Sequence, residues 1–189
     1  MINKLACKIT YYIENNSDIK SISDLEKITY SLQAIFNELF KTVILIAIFF
    51  IIGKLDYFLF SMMILFSIRI FAGGYHCSTT ISCLFFSILF FLPTSLLSGF
   101  LPKLNMVFYY VIALLSILVI LFRSPYPNKK RPIKSKKRRQ ILKFLSIFFT
   151  ISWLCILLLY IKDISYLNCG FSTILLEVSQ LIPKKKGVF

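Results

Sequence analysis

The chain has 189 residues, 58% of them hydrophobic, with 20 phenylalanines. A water-soluble protein of this size could not bury that much apolar surface, so lipid is the natural sink. The formal charge is +14, from 22 Lys and Arg against 8 Asp and Glu. The basic residues stand mostly beside apolar runs, which fits anionic headgroups better than nucleic acid; no nucleic-acid partner is expected. No carboxylate lies between Asp56 and Asp163, which excludes paired-aspartate intramembrane proteolysis in that region. Five scattered cysteines and one histidine make neither a disulfide framework nor a zinc set, and no metal or cofactor is expected.

Residues 1–20 carry Leu5, Ile9, Tyr12 and Ile13 among charged neighbours, a spacing that predicts an amphipathic helix. Asn15 to Asp18 reads as a break. Ser21 or Ser23 then caps a second helix, with Glu26 three residues beyond Ser23 as a capping box. Its apolar stripe runs from Ile22 to Leu39. Glu38 and Lys41 stand where this helix meets the first apolar run, 42–53, which reaches spanning length only when counted from about residue 36. Lys54 and Asp56 make a polar turn before the second run, 55–71. The third run, 79–97, contains Pro93, which is expected to kink its far end. The fourth, 104–122, is free of charge.

A polar stretch follows, with ten Lys or Arg from Arg123 to Lys143 and three prolines at its start. The fifth run is 141–161, closed by Asp163. A sixth, 164–182, is weakened by Asn168, Glu177 and Gln180. The expectation is an all-α, polytopic membrane protein with about six transmembrane helices, four or five being alternatives, preceded by amphipathic N-terminal helices. It reads as a single membrane domain over 1–189: helices on the cytoplasmic interface in 1–35, four spans in 36–122, a basic loop in 123–140 and hydrophobic segments in 141–182. The positive-inside rule puts the basic loop in the cytoplasm. Counting back two spans puts the 72–78 turn there too.

That turn holds the chain's only histidine, in Arg69-Ile70-Phe71-Ala72-Gly73-Gly74-Tyr75-His76-Cys77, with Cys83 seven residues beyond His76. Two glycines permit a left-handed turn and close backbone approach. His76 is the one side chain here that exchanges protons near neutral pH. On one straight helix, His76 and Cys83 would stand about 10 Å apart along the axis. A working pair therefore needs His76 in the glycine turn, folded back over the next helix. His76 could then deprotonate a thiol that attacks a carbonyl. Spacing favours Cys83 over Cys77 but leaves both open. The group orienting His76 is open as well: Ser78, Thr79 and Glu38 are candidates. From the residues alone, a small membrane transporter competes with an enzyme.

The segment Arg69-x-x-Ala72-Gly73-Gly74-Tyr75-His76 with Cys83 beyond resembles the AgrB family of bacterial membrane cysteine endopeptidases. The loop Ser124-Pro125-Tyr126-Pro127-Asn128-Lys129-Lys130 and the polar N-terminal region with Glu38 extend the resemblance over about residues 20–185. It implies His76 as catalytic histidine and Cys83 as nucleophile, with Arg69, Gly73 and Gly74 as motif support and the Cys77 thiol incidental. The implied reaction cleaves an AgrD-like autoinducer propeptide through an acyl-thioester on Cys83. An internal Cys or Ser of the peptide then closes a thiolactone or lactone ring. The implied partner carries an amphipathic helix and an acidic C-terminal tail, which Lys129, Lys130 and Arg131 could bind; the same residues suit anionic lipid headgroups. A homodimer is left open. The implied location is the bacterial cell membrane, multi-pass, with the site near the cytoplasmic face. A peptide exporter without proteolytic activity is the alternative.

Overall fold

A computed structural model describes residues 2–18, 20–74, 80–126 and 135–182. Those residues form seven α-helices: α1 (Ile2–Asn16), α2 (Ile22–Ile51), α3 (Leu55–Ala72), α4 (Thr80–Leu97), α5 (Met106–Arg123), α6 (Lys136–Leu159) and α7 (Ile164–Leu181). No strand occurs among the described residues. Four helices, α2, α3, α5 and α6, are long and apolar enough to cross a membrane. Residues 81–96 of α4 form a shorter apolar helix beside them. The protein is an all-α membrane protein. Many of its large apolar side chains face outward, among them Ile81, Phe85, Phe122 and Phe144. Helices satisfy their own backbone groups, so such surfaces are stable only against hydrocarbon.

The chain divides into two compact units, residues 1–51 and 52–189. In the first, α1 and α2 pack as a helical hairpin, with Ala6 and Thr10 buried. Thr10 Oγ1 donates to Ala6 O (3.0 Å) and lies 2.9 Å from Thr29 Oγ1 across the hairpin. The expected second helix and first span are one uninterrupted helix of 30 residues. Glu38 and Lys41, where the helix runs into the apolar run, pair within it, Lys41 Nζ to Glu38 Oε2 at 2.5 Å. A one-turn ion pair satisfies both charges without ending a helix. The capping box on Ser23 does not form either, since α2 starts at Ile22 and its first turn bonds to Ser21, whose carbonyl accepts from Asp24 and Leu25 (both 3.0 Å).

The second unit is a bundle built around α7. This helix packs against α3, α4, α5 and α6. Ten of its 18 residues are buried, including Asn168, Thr173 and Glu177. The polar residues that weakened a sixth apolar run are thus turned inward, and each has a partner. Asn168 accepts from Tyr109 OH (2.5 Å) and donates to Leu101 O (3.0 Å), tying α7 to α5 and to the α4–α5 connection. Ser61 Oγ of α3 lies 3.0 Å from Cys169 Sγ and 3.1 Å from Thr173 Oγ1. Further along, Arg69 of α3 meets Glu177 and Gln180. Residues 169, 173, 177 and 180 recur at helical spacing on one face. They meet α3 in ascending order, Ser61 and then Arg69, so α3 and α7 run parallel.

Asp163, expected only to close the fifth run, is the N-cap of α7: its Oδ1 accepts from Ser165 N (2.7 Å) and Tyr166 N (3.3 Å). α4 continues through Pro93 to Leu97. Pro93 removes one backbone donor from that helix. Thr94 Oγ1 donates back to Phe91 O (2.9 Å) in the same turn. Trp153 of α6 anchors on α3, its Nε1 donating to Ser67 Oγ at 2.6 Å.

Gly170 sets how closely α6 approaches α7. A Cβ there would stand 2.3 Å from Leu157 Cδ2 and 2.9 Å from Cδ1, and Leu157 is fully buried. Such overpacking costs about 1–3 kcal/mol. Gly170→Ala is therefore expected to lower the thermal unfolding midpoint of the detergent-solubilised protein. Combined with Leu157→Ala, the extra cost of the alanine at 170 should disappear, a coupling that a double-mutant cycle measures.

Candidate functional site

The glycine turn is held by α3, by the segment after α5 and by α7 together. Arg69 lies in the last turn of α3, and its carbonyl accepts the Gly73 N–H at 2.9 Å. Gly73 has φ +76°, a left-handed conformation that side-chain-bearing residues rarely adopt. The chain after α5 comes to the same point: Tyr126 N–H donates to Ala72 O at 2.8 Å, and a Cβ on Gly73 would sit 3.4 Å from Tyr126 Cβ and O. The exit of α3 and the start of the basic loop therefore leave the bundle at one end, side by side. Ser124 Oγ, 2.7 Å from Ser146 Oγ, fixes that loop start to α6.

Gly74 is needed for a different reason. A Cβ there would lie 3.1 Å from Arg69 Cζ and 3.2 Å from Nη1, so the backbone rests against the guanidinium. That guanidinium is itself anchored on α7, with Nη1 donating to Gln180 Oε1 (2.6 Å) and to Glu177 Oε2 (3.3 Å). Glu177 is 1% exposed and Arg69 23%, so the pair is deeply set but open on the arginine side. A buried carboxylate needs a charge partner, and Arg69 is the only cation between Lys54 and Lys103 in sequence.

Cys83 stands in the first turn of α4, which begins at Thr80, and is partly buried. The N-terminal end of a helix carries partial positive charge, which favours an anion beside it. Cys169 is buried in the bundle, whereas Cys7 and Cys155 are exposed. His76, Cys77, Ser78 and Thr79 lie outside the described residues, as do Lys129, Lys130 and Arg131. Glu38 belongs to the first unit and is paired there with Lys41. Of the residues singled out from the sequence, the structure brings together Arg69, Gly73 and Gly74.

Two residues of this arrangement, Glu177 and Gln180, escaped the reading of the sequence. Both were counted there as polarity in a doubtful apolar run. A usable signal was present: an acid and an amide three residues apart on one helical face, in an otherwise apolar segment, require a polar partner.

The family model for Accessory gene regulator B matches residues 6–181. A putative AgrB-like protein of Clostridium beijerinckii is 38% identical over the whole of this chain and 92% of its own length. Accessory gene regulator protein B of Staphylococcus carnosus is 30% identical over 72% of this chain and 70% of its own. The protein of that name from Staphylococcus lugdunensis is 26% identical over 96% of this chain and 94% of its own. No solved structure matches. With a match that runs from α1 to the end of α7, the chain belongs to the accessory gene regulator B family.

Proposed function

We propose that this protein is a membrane cysteine endopeptidase that processes an AgrD-like autoinducer propeptide, with His76 and Cys83 as its catalytic pair. The observation that carries this reading is the position of Cys83: in the first turn of an apolar helix, beyond a glycine turn clamped at the end of the bundle, in a member of this family. His76 takes the proton of the Cys83 thiol. The Cys83 sulfur attacks the carbonyl carbon of the scissile peptide bond, and the imidazolium returns its proton to the departing amine. The N-terminal part of the peptide remains on Cys83 as a thioester. A thiol or hydroxyl within that peptide then attacks the same carbonyl and releases Cys83, which closes a thiolactone or lactone ring. The ring closure conserves the acyl activation held in the thioester, provided water is kept from it.

The site faces the cytoplasm in this reading, since the basic loop that begins beside the glycine turn is retained there by its charge. The membrane is the bacterial cell membrane. Lys129, Lys130 and Arg131 bind the acidic C-terminal tail of the propeptide, and the remaining basic residues of the loop rest on anionic lipid. Glu38, Ser78 and Thr79 are the sequence-based candidates for orienting His76 or contacting substrate.

Co-expression with a cognate propeptide, followed by mass spectrometry, tests the assignment. Cys83→Ala is expected to abolish C-terminal cleavage and Cys77→Ala to leave it unchanged. Cleavage by Cys83→Ala overturns the assignment, and export of mature peptide without any cleavage favours a transporter. The basic loop is tested separately. Exposed ion pairs contribute about 0.2–1 kcal/mol each, so replacing Lys129, Lys130 and Arg131 together by Gln should weaken propeptide binding about tenfold. Binding of a propeptide lacking its acidic tail should not change, and the difference should shrink as salt is raised.

A further inference from the structure

We propose that Glu177 and Gln180 of α7 are positioning residues for the peptide cleavage assigned above: through Arg69 they hold the Gly73-Gly74 turn that leads the chain into His76. The inference rests on that assignment and adds to it a contribution from the far end of the sequence.

Three observations carry it. Arg69 Nη1 is held at two points on α7, by Gln180 Oε1 at 2.6 Å and Glu177 Oε2 at 3.3 Å. Two acceptors one helical turn apart fix both the position and the tilt of a planar guanidinium, which a single acceptor would leave free to swing. Gly74 then rests on that guanidinium, close enough that a Cβ at 74 would come within 3.1 Å of Cζ. Together with the Gly73 N–H on Arg69 O, this fixes the turn from its backbone and from its face. His76 follows Gly74 by two residues in the sequence, so the turn sets where the chain toward it starts.

The third observation is that the pair is not closed on itself. Glu177 is 1% exposed, and its Oε1 has no hydrogen-bond partner among the described residues. Buried acceptors in folded proteins are almost always paired. A carboxylate serving only to neutralise Arg69 would turn both oxygens to it, in the bidentate geometry that guanidinium and carboxylate favour. Here only one oxygen, Oε2, meets Arg69, and the other is left without a partner among the described residues. Arg69 is also the more exposed member of the pair. The arrangement suits an anchor that presents the turn, rather than a sealed structural pair.

The test compares wild type, Cys83→Ala, Glu177→Gln, Glu177→Ala and Gln180→Ala, all as full-length protein in proteoliposomes with a cognate propeptide. Three quantities are read: propeptide affinity, single-turnover cleavage, and the alkylation rate of Cys83 relative to exposed Cys7. A misplacement of about 1 Å can cost a hundredfold in rate. Cleavage should therefore fall about tenfold in Gln180→Ala and about a hundredfold in Glu177→Ala, with Glu177→Gln between them. Affinity should stay within about twofold of wild type, and Cys83 alkylation should slow while Cys7 is unaffected. Should Glu177→Ala fail to fold, the isosteric Glu177→Gln and Gln180→Ala, at a partly buried position, decide the matter. Wild-type cleavage by these two variants overturns the inference. So does a parallel loss of affinity, cleavage and folded protein, which would mark the residues as structural only. Either result leaves the enzyme assignment standing as long as Cys83→Ala is inactive; cleavage by Cys83→Ala removes that assignment instead.

Discussion

A carboxylate inside an apolar bundle is tolerated only where something offsets the loss of its hydration. Glu177 meets that condition through Arg69, and the condition works in both directions, because an arginine in the last turn of a hydrophobic helix needs an anion as well. The two residues are separated by 108 positions in the chain, so satisfying them forces α7 to lie along α3 in one register. The hydroxyls and thiol further along the same pair of helices, Ser61, Cys169 and Thr173, fit only in that register. Hydrophobic burial gives little direction within lipid, where the surroundings are as apolar as the core. Polar pairing is then what selects one helix arrangement over its slipped alternatives.

The candidate site inherits this arrangement. Its turn is shaped locally by two glycines, yet the reasons for them differ: Gly73 for its backbone conformation and Tyr126, Gly74 for the guanidinium behind it. Gly73 and Gly74 thereby gain support from parts of the chain far from them in sequence, α7 through Arg69 and the segment after α5 through Tyr126.

Much of the architecture was legible in the sequence, because apolar runs of spanning length separated by charged or glycine-rich turns leave little choice of fold class. Where the reading stopped short, the cause was a partner that hydropathy cannot see. Glu38 and Lys41 stand where the polar helix runs into the apolar run, but that they neutralise each other inside one helix was not visible. Glu177 and Gln180 weakened the last segment as a span, and α7 is not among the helices long and apolar enough to cross a membrane; what hydropathy could not show is that it is the most enclosed helix of its unit. The glycine turn, the lone histidine and Cys83 could be picked out by residue type and spacing. That Arg69 belongs beneath Gly74 could not, since the contact depends on how α7 returns to the bundle.

Gly53 offers a contrast with Gly73. Its φ of +69° is nearly the same, but among the described residues nothing stands within 4 Å of the position a Cβ would take. It lies just after the division between the unit of residues 1–51 and the unit of residues 52–189. Asparagine, which visits the left-handed region more readily than other side chains, meets only a small conformational cost there and no steric one. The same openness makes 53 a position where the chain can be lengthened. A reporter or affinity tag inserted there would interrupt neither the α1–α2 hairpin nor the α7-centred bundle, and each could keep its own packing around the new segment.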